Sequence, residues 1–167
     1  MSRISLAMIG ASGRMGQSIL RLAKADGEFD VVCELSEGED FSKLEVSKAD
    51  VAIDFSSAEG TRALAAVAAK SSIALVIGTT GLDAACEKAL ADASEKIAVF
   101  AASNMSIGVH VLNVIAARAA KMLGEDFEIE IVETHHKRKV DAPSGTALTL
   151  AKTLQESRHH ITHLVHG

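Results

Sequence analysis

Residues 133–147 read ETHHKRKVDAPSGTA and place several reactive side-chain types within one short stretch. His135 and His136 are imidazoles, the side chain that gives or takes a proton near neutral pH. Lys137, Arg138 and Lys139 follow as consecutive cations, and then come Asp141, Pro143, Ser144, Gly145 and Thr146. A proline near the first helical position with small residues behind it predicts a helix start, and its bare backbone N–H groups form an anion cradle. An ammonium, an imidazole and a cradle for carboxylates together suit a small anionic acid that is reduced and protonated. The plainer alternative for the three cations is a solvated turn.

A metal fits this stretch poorly. On an extended strand His135 and His136 point to opposite faces, and no cysteine or carboxylate cluster completes a zinc set. His159 and His163 stand four residues apart, but the glutamate of an HExxH site is missing. No metal is expected.

A second stretch, GASGRMG over residues 10–16, follows an apolar run. Gly10, Gly13 and Gly16 form a GxxGxxG variant of the dinucleotide-binding loop, with Ala11, Ser12, Arg14 and Met15 between them. Gly10 permits the tight turn, Gly13 lets the backbone approach a pyrophosphate, and Gly16 allows close helix–strand packing. An acid about twenty residues further on would bind the ribose hydroxyls of NAD. The candidates are Glu34, Ser36 and Glu37, and they leave NADH against NADPH open. GTTG (78–81) and ASNMS (102–106) also end apolar runs, where their small polar side chains could contact the nicotinamide and its ribose or serve as ordinary turn residues. DFS (54–56) reads as a possible strand cap.

These loops need elements to position them. Residues 3–10, 30–35, 50–55, 73–78 and 97–102 are short apolar runs suited to strands buried on both faces. Helical periods lie between them at 14–25, 58–70 and 83–94, so the fold class is α/β, a Rossmann-like parallel sheet flanked by helices. After residue 103 the pattern changes. A long helix is predicted over 107–123 and another over 144–156, while FEIEIVET (127–134) alternates as a half-wet strand of a mixed or antiparallel sheet does. The expected organisation is a dinucleotide-binding domain over 1–103 and a partial α+β substrate domain over 104–167.

The totals narrow the classes. The chain has 167 residues with 48% hydrophobic and 23% charged, which fits a globular core without disulfide staples. Aromatics are only 3%, so that core is aliphatic. A net charge of −5 with no long basic block argues against nucleic acid. With no signal-like opening and no membrane-length apolar run, the expected location is the cytoplasm, with Cys33 and Cys86 reduced and buried.

EIEIVETHHKRKVDAPSGTA resembles the signature of dihydrodipicolinate reductases (4-hydroxy-tetrahydrodipicolinate reductases), and GASGRMG, IDFS, VIGTTG and ASNMSIGV resemble that family's cofactor segments in the same order. The resemblance implies NADH- or NADPH-dependent reduction of a small cyclic dicarboxylate in lysine and diaminopimelate biosynthesis. It implies cofactor binding by Gly10, Ala11, Ser12, Gly13, Arg14, Met15, Ser36, Gly78, Thr79, Thr80, Ala102, Ser103, Asn104 and Met105. His135 would be the proton donor or acceptor, Lys139 a proton donor, and His136, Gly145 and Thr146 the carboxylate holders. A homotetramer is also implied. Family members often carry Asp or Glu at the position of Ser36, and their chains usually continue past that of Gly167. The alternative expectation is a truncated, catalytically impaired NAD(P)-binding module of the same fold.

Overall fold

The computed structural model describes residues 3–137 and 142–158. The chain divides into two compact units, residues 1–102 and 103–167.

The first unit alternates strand and helix as the apolar runs foretell. Its order is β1 (Ile4–Ile9), α1 (Arg14–Asp26), β2 (Phe29–Leu35), α2 (Ser42–Val46), β3 (Val51–Asp54), α3 (Ala58–Ser71), β4 (Ala74–Ile77), α4 (Ala84–Ser94) and β5 (Val99–Ala101). All pairings are parallel, in the order β2-β1-β3-β4-β5. The chain leaves β1 for β2 on one side and returns to β3 on the other. That reversal opens a crevice at the carboxyl ends of β1 and β3, where open α/β sheets bind ligands.

Alternate residues of β1 serve different faces. Ala7 and Ile9 join a core with Leu44 of α2, Leu64 of α3 and Leu90 of α4. Met8 packs instead with Leu20 of α1. Burial on both sides is why β1 reads as a continuous apolar run. Fully burying a leucine such as Leu64, which is 0% exposed, contributes about 1.5–3 kcal/mol. Small residues replace aromatics where α3 meets α4, with Ala65, Ala68 and Ala93 all buried. Short α2 is absent from the sequence expectations; its buried Leu44 anchors it.

The second unit contains α5 (Ile107–Leu123) and α6 (Gly145–Ser157). Ser106 caps α5 by accepting from the Val109 N–H at 3.5 Å. Ala120, Ala151 and Leu154 are the buried apolar positions of the two helices.

The strand expected over 127–134 does not form, and no mixed or antiparallel sheet occurs among the described residues. A strand is stabilised by ladder partners and by one covered face. Among the described residues of this unit there is no second strand to pair with. Phe127, Ile129 and Ile131, the apolar side of the alternation, are 51%, 41% and 38% exposed. The alternation therefore supplies a strand-compatible sequence without a sheet. The segment is tied instead by Arg158, whose Nη2 donates to the Phe127 carbonyl at 2.5 Å.

Candidate functional site

In the first unit, five segments follow the carboxyl ends of the five parallel strands. The loop after β1 turns at Gly10, whose φ is 80°. Its N–H and that of Ala11 donate to the Leu35 carbonyl at 2.8 and 2.9 Å, pinning the loop to the end of β2. A Cβ on Gly10 would lie 2.7 Å from the Phe55 carbonyl carbon, so the β3 end leaves no room for a side chain. Gly16 is equally confined, since a Cβ there would sit 2.9 Å from Ala11 Cα. Ser12, Gly13, Arg14 and Met15 are exposed on the outer half of the loop.

Helix α1 begins differently from most of its neighbours. Side chains of Ser57, Asp83, Ser106 and Ser144 cap α3, α4, α5 and α6. Gly13 heads α1 with no side-chain cap, and no acid stands in its first turn. A helix start with unclaimed N–H groups and no nearby carboxylate is suited to a phosphate.

Ser36 follows β2, half-buried. Its N–H donates to Glu39 Oε2 at 2.7 Å, and Glu39 Oε1 pairs with Lys43 at 2.6 Å. The bond from Lys43, together with the one from Ser36, holds the Glu39 carboxyl below the usual range. An ionised acid therefore stands beside Ser36 at neutral pH. Sequence inspection reached Glu34, Ser36 and Glu37 but not Glu39; only the turn brings its carboxylate back.

Gly78 and Thr79 are buried and Thr80 is exposed. A Cβ on Gly78 would overlap the Phe55 ring, 2.7 Å from Cε2. Thr79 Oγ1 donates to Asp54 Oδ2 at 2.9 Å and accepts from the Ser56 N–H at 2.9 Å. DFS is thus more than a strand cap: Asp54 is 0% exposed and is hydrogen-bonded on both oxygens. The Ala102 N–H donates to the Ile77 carbonyl at 3.0 Å, closing this edge beside β5.

In the second unit the polar residues gather at the start of α6. Ser144 is 6% exposed; its N–H donates to Glu133 Oε1 at 2.8 Å and its hydroxyl to Oε2 at 2.5 Å. The same hydroxyl accepts from the Ala147 N–H at 3.1 Å. Glu133 was missed from the sequence, where it looked like a strand residue. Its Oε2 also lies 3.6 Å from His135 Nδ1. Gly145 is exposed, and Asn104 Nδ2 donates to Thr146 Oγ1 at 3.0 Å. Ser103 Oγ lies 3.3 Å from Thr149 Oγ1. Ser103 and Asn104, expected with the cofactor, are therefore hydrogen-bonded to the helix expected to hold carboxylates. His135 and His136 are exposed. Met105 is 40% exposed. Lys139, expected as a proton donor, lies outside the described residues, as do Arg138, Asp141, His159 and His163. Among the described residues no group of three or more His, Cys, Asp or Glu could hold a metal ion.

Both cysteines are buried and free. Burial pushes the Cys33 thiol up, and the adjoining Asp83 carboxylate does so for Cys86.

A doubly wound parallel sheet with a glycine turn at its switch point defines a Rossmann-like, dinucleotide-binding class of protein. Comparison with known proteins is more specific. Residues 4–105 match the family model described as dihydrodipicolinate reductase, N-terminus, and residues 108–166 match its C-terminus counterpart. The chain belongs to the dihydrodipicolinate reductase family. It is 44% identical over 156 residues to a 4-hydroxy-tetrahydrodipicolinate reductase of Campylobacter jejuni, covering 93% of this chain and 64% of that protein. A protein of the same name from Caldanaerobacter subterraneus is 44% identical over 170 residues, covering 95% and 67%. Among solved structures, dipicolinate-bound dihydrodipicolinate reductase from Paenisporosarcina superposes with a TM-score of 0.77 at 25% identity, covering 94% of this chain and 67% of that one. The chain thus spans about two thirds of the length of its curated relatives.

Proposed function

We propose that this chain carries the cofactor site and the catalytic segment of a 4-hydroxy-tetrahydrodipicolinate reductase, an NADH- or NADPH-dependent enzyme of lysine and diaminopimelate biosynthesis. The observation that carries this is the 44% identity to reductases across 93% of the chain, spanning both clusters of site residues. The glycine turn and the uncapped start of α1 support a bound pyrophosphate. Gly10 to Met15, Ser36, Gly78 to Thr80 and Ala102 to Met105 would hold the dinucleotide. When bound, the reduced nicotinamide supplies a hydride.

The remaining work falls to the chain's own residues. The start of α6 presents exposed Gly145 and half-buried Thr146, while Ser144 caps the turn from within. The Ser144 hydroxyl claims the Ala147 N–H and Glu133 claims that of Ser144, so the Gly145 and Thr146 N–H groups would be the ones to take a carboxylate of a small diacid. The dipicolinate held by the Paenisporosarcina relative is a diacid of that kind. His136 would bind a second carboxylate. His135, exposed and with its Nδ1 3.6 Å from Glu133 Oε2, would exchange a proton with the ligand. Lys139 would neutralise the anionic substrate and deliver a proton. Residues 1–103 form the dinucleotide-binding domain in this account, and 104–167 form part of a substrate and oligomerisation domain. A cytoplasmic homotetramer completes the proposal.

The test is spectrophotometric. The purified chain is mixed with NADH or NADPH and freshly made cyclic substrate, and loss of nicotinamide absorbance is followed. Turnover that collapses in His135→Gln while nucleotide affinity stays unchanged supports the assignment. Nucleotide binding without turnover would leave a binding module instead, and equal losses of rate and affinity would remove His135 from proton transfer.

A further inference from the structure

Asp54 ends β3 as a fully buried carboxylate, yet no proton-transfer role involves it. Its donors come from three places. Ser56 donates its N–H at 3.1 Å and its hydroxyl at 2.5 Å to Oδ1. Thr61, in the first turns of α3, donates to Oδ2 at 2.5 Å. Thr79, from the loop after β4, donates to the same oxygen at 2.9 Å. The Thr79 hydroxyl also accepts from the Ser56 N–H at 2.9 Å, and its single proton is committed to Asp54. Thr79 is 7% exposed. Its side chain faces inward, and the loop offers a ligand its backbone and the exposed Thr80.

The position of this cluster along the sheet gives it a task. In a doubly wound fold the adenosine ribose lies at the end of β2 and the pyrophosphate on the turn after β1. Here those places are Ser36 and residues 10–16. The next ends in order belong to β3 and β4. These are the two segments that Asp54 joins, so the other half of a dinucleotide would lie over them. Phe55 reinforces the join: its carbonyl backs Gly10 and its ring backs Gly78.

We propose that Asp54 is a positioning residue for the nicotinamide half of the bound dinucleotide, acting through Thr79 and Ser56 to fix residues 55–57 and 78–80 on the crevice wall. The inference rests on the dinucleotide assignment made above and deepens it. It separates residues 78–80 into a buried pair, Gly78 packed against the Phe55 ring and Thr79 as the clamp, and an exposed contact residue, Thr80. Asparagine at position 54 keeps the shape but turns one acceptor into a donor. It would then face hydroxyls already committed to donating, leaving a buried mismatch.

Calorimetric titration of Asp54→Asn, Thr79→Val and Thr79→Ser with NADH and with ADP tests the idea, because ADP fills only the β2 and β1 ends. Asp54→Asn and Thr79→Val are expected to weaken NADH about tenfold, the effect of losing about one hydrogen bond in the clamp. ADP affinity should stay within about twofold of wild type, and Thr79→Ser should restore NADH binding. Equal weakening of both ligands would show a general loosening and overturn the proposal, as would unchanged NADH affinity. Should Asp54→Asn fail to fold, the Thr79 pair decides, since serine keeps the hydroxyl that valine lacks. A wild-type chain that binds neither ligand would overturn the dinucleotide assignment and the positioning role together. Wild-type binding with the wrong pattern in the variants overturns the positioning role alone.

Discussion

Asn104 donates its side-chain amide to Thr146 Oγ1 at 3.0 Å, tying the turn before α5 to the first residues of α6. The same asparagine accepts from the Ser106 N–H at 2.8 Å, so one side chain orders both helix starts. Asn104→Ala is expected to weaken dipicolinate binding about three- to tenfold, matching a net hydrogen bond of about 0.5–1.5 kcal/mol. Titration of wild type and variant with dipicolinate checks this. Unchanged affinity would place Thr146 outside the diacid site.

Two glycines with similar backbone angles should respond differently to alanine. Gly10 has φ 80° and Gly81 has φ 71°. At Gly81 a Cβ meets nothing within 4 Å, so only the left-handed backbone cost of about 1–2 kcal/mol applies. At Gly10 the Cβ also collides with the carbonyl of Phe55, the residue just past β3, which is anchored by its N–H donating to the Ile9 carbonyl at 3.0 Å. Urea unfolding should show Gly10→Ala losing clearly more than Gly81→Ala. Equal losses would mean that the β3 end yields easily.

Asp83 gives a stability contribution that depends on pH. Its carboxylate accepts from the Cys86 N–H at 2.8 Å, and bonds from the Cys86 side chain and backbone hold its pKa below the usual range. A depressed folded-state value stabilises the fold above the unfolded pKa of about 3.9, and that stability disappears as pH falls through the lower folded value. The stability gap between wild type and Asp83→Asn should therefore be present at neutral pH and close on acidification below about pH 4. Melting curves across that range decide it, and a gap constant with pH would contradict the assignment.

Glu39 should bias the nucleotide choice. Its ionised carboxylate lies against the Ser36 N–H at the end of β2. A carboxylate there favours ribose hydroxyls and repels a 2′-phosphate, although Lys43 partly offsets it. NADH is expected to bind more tightly than NADPH, and Glu39→Gln should narrow the ratio. Tighter NADPH binding in wild type would assign Lys43 the dominant role.

The five strands and helices α1, α3, α4 and α5 were legible because each repeats a simple period over enough residues, as in the unbroken run before Gly10. Helix α2 was not, since five residues are too few for a helical period to show. The alternation of Phe127, Ile129 and Ile131 was misleading because strand formation depends on a partner that alternation does not supply.

By itself the sequence determined the order of the five strands and the longer helices, the place of the glycine turn after β1 and the helix start at Ser144, because runs, periods and turn residues show among near neighbours in the chain. Only the tertiary structure decided what Asp54, Glu39 and Glu133 do. Asp54 meets Thr79 across 25 positions and Glu133 meets Ser144 across 11. Glu39 reaches Ser36 only because the turn after β2 folds its carboxylate back onto that N–H. A carboxylate's role is set by the donors around it, and those donors are brought together by strand order and turn geometry, which a linear pattern does not encode.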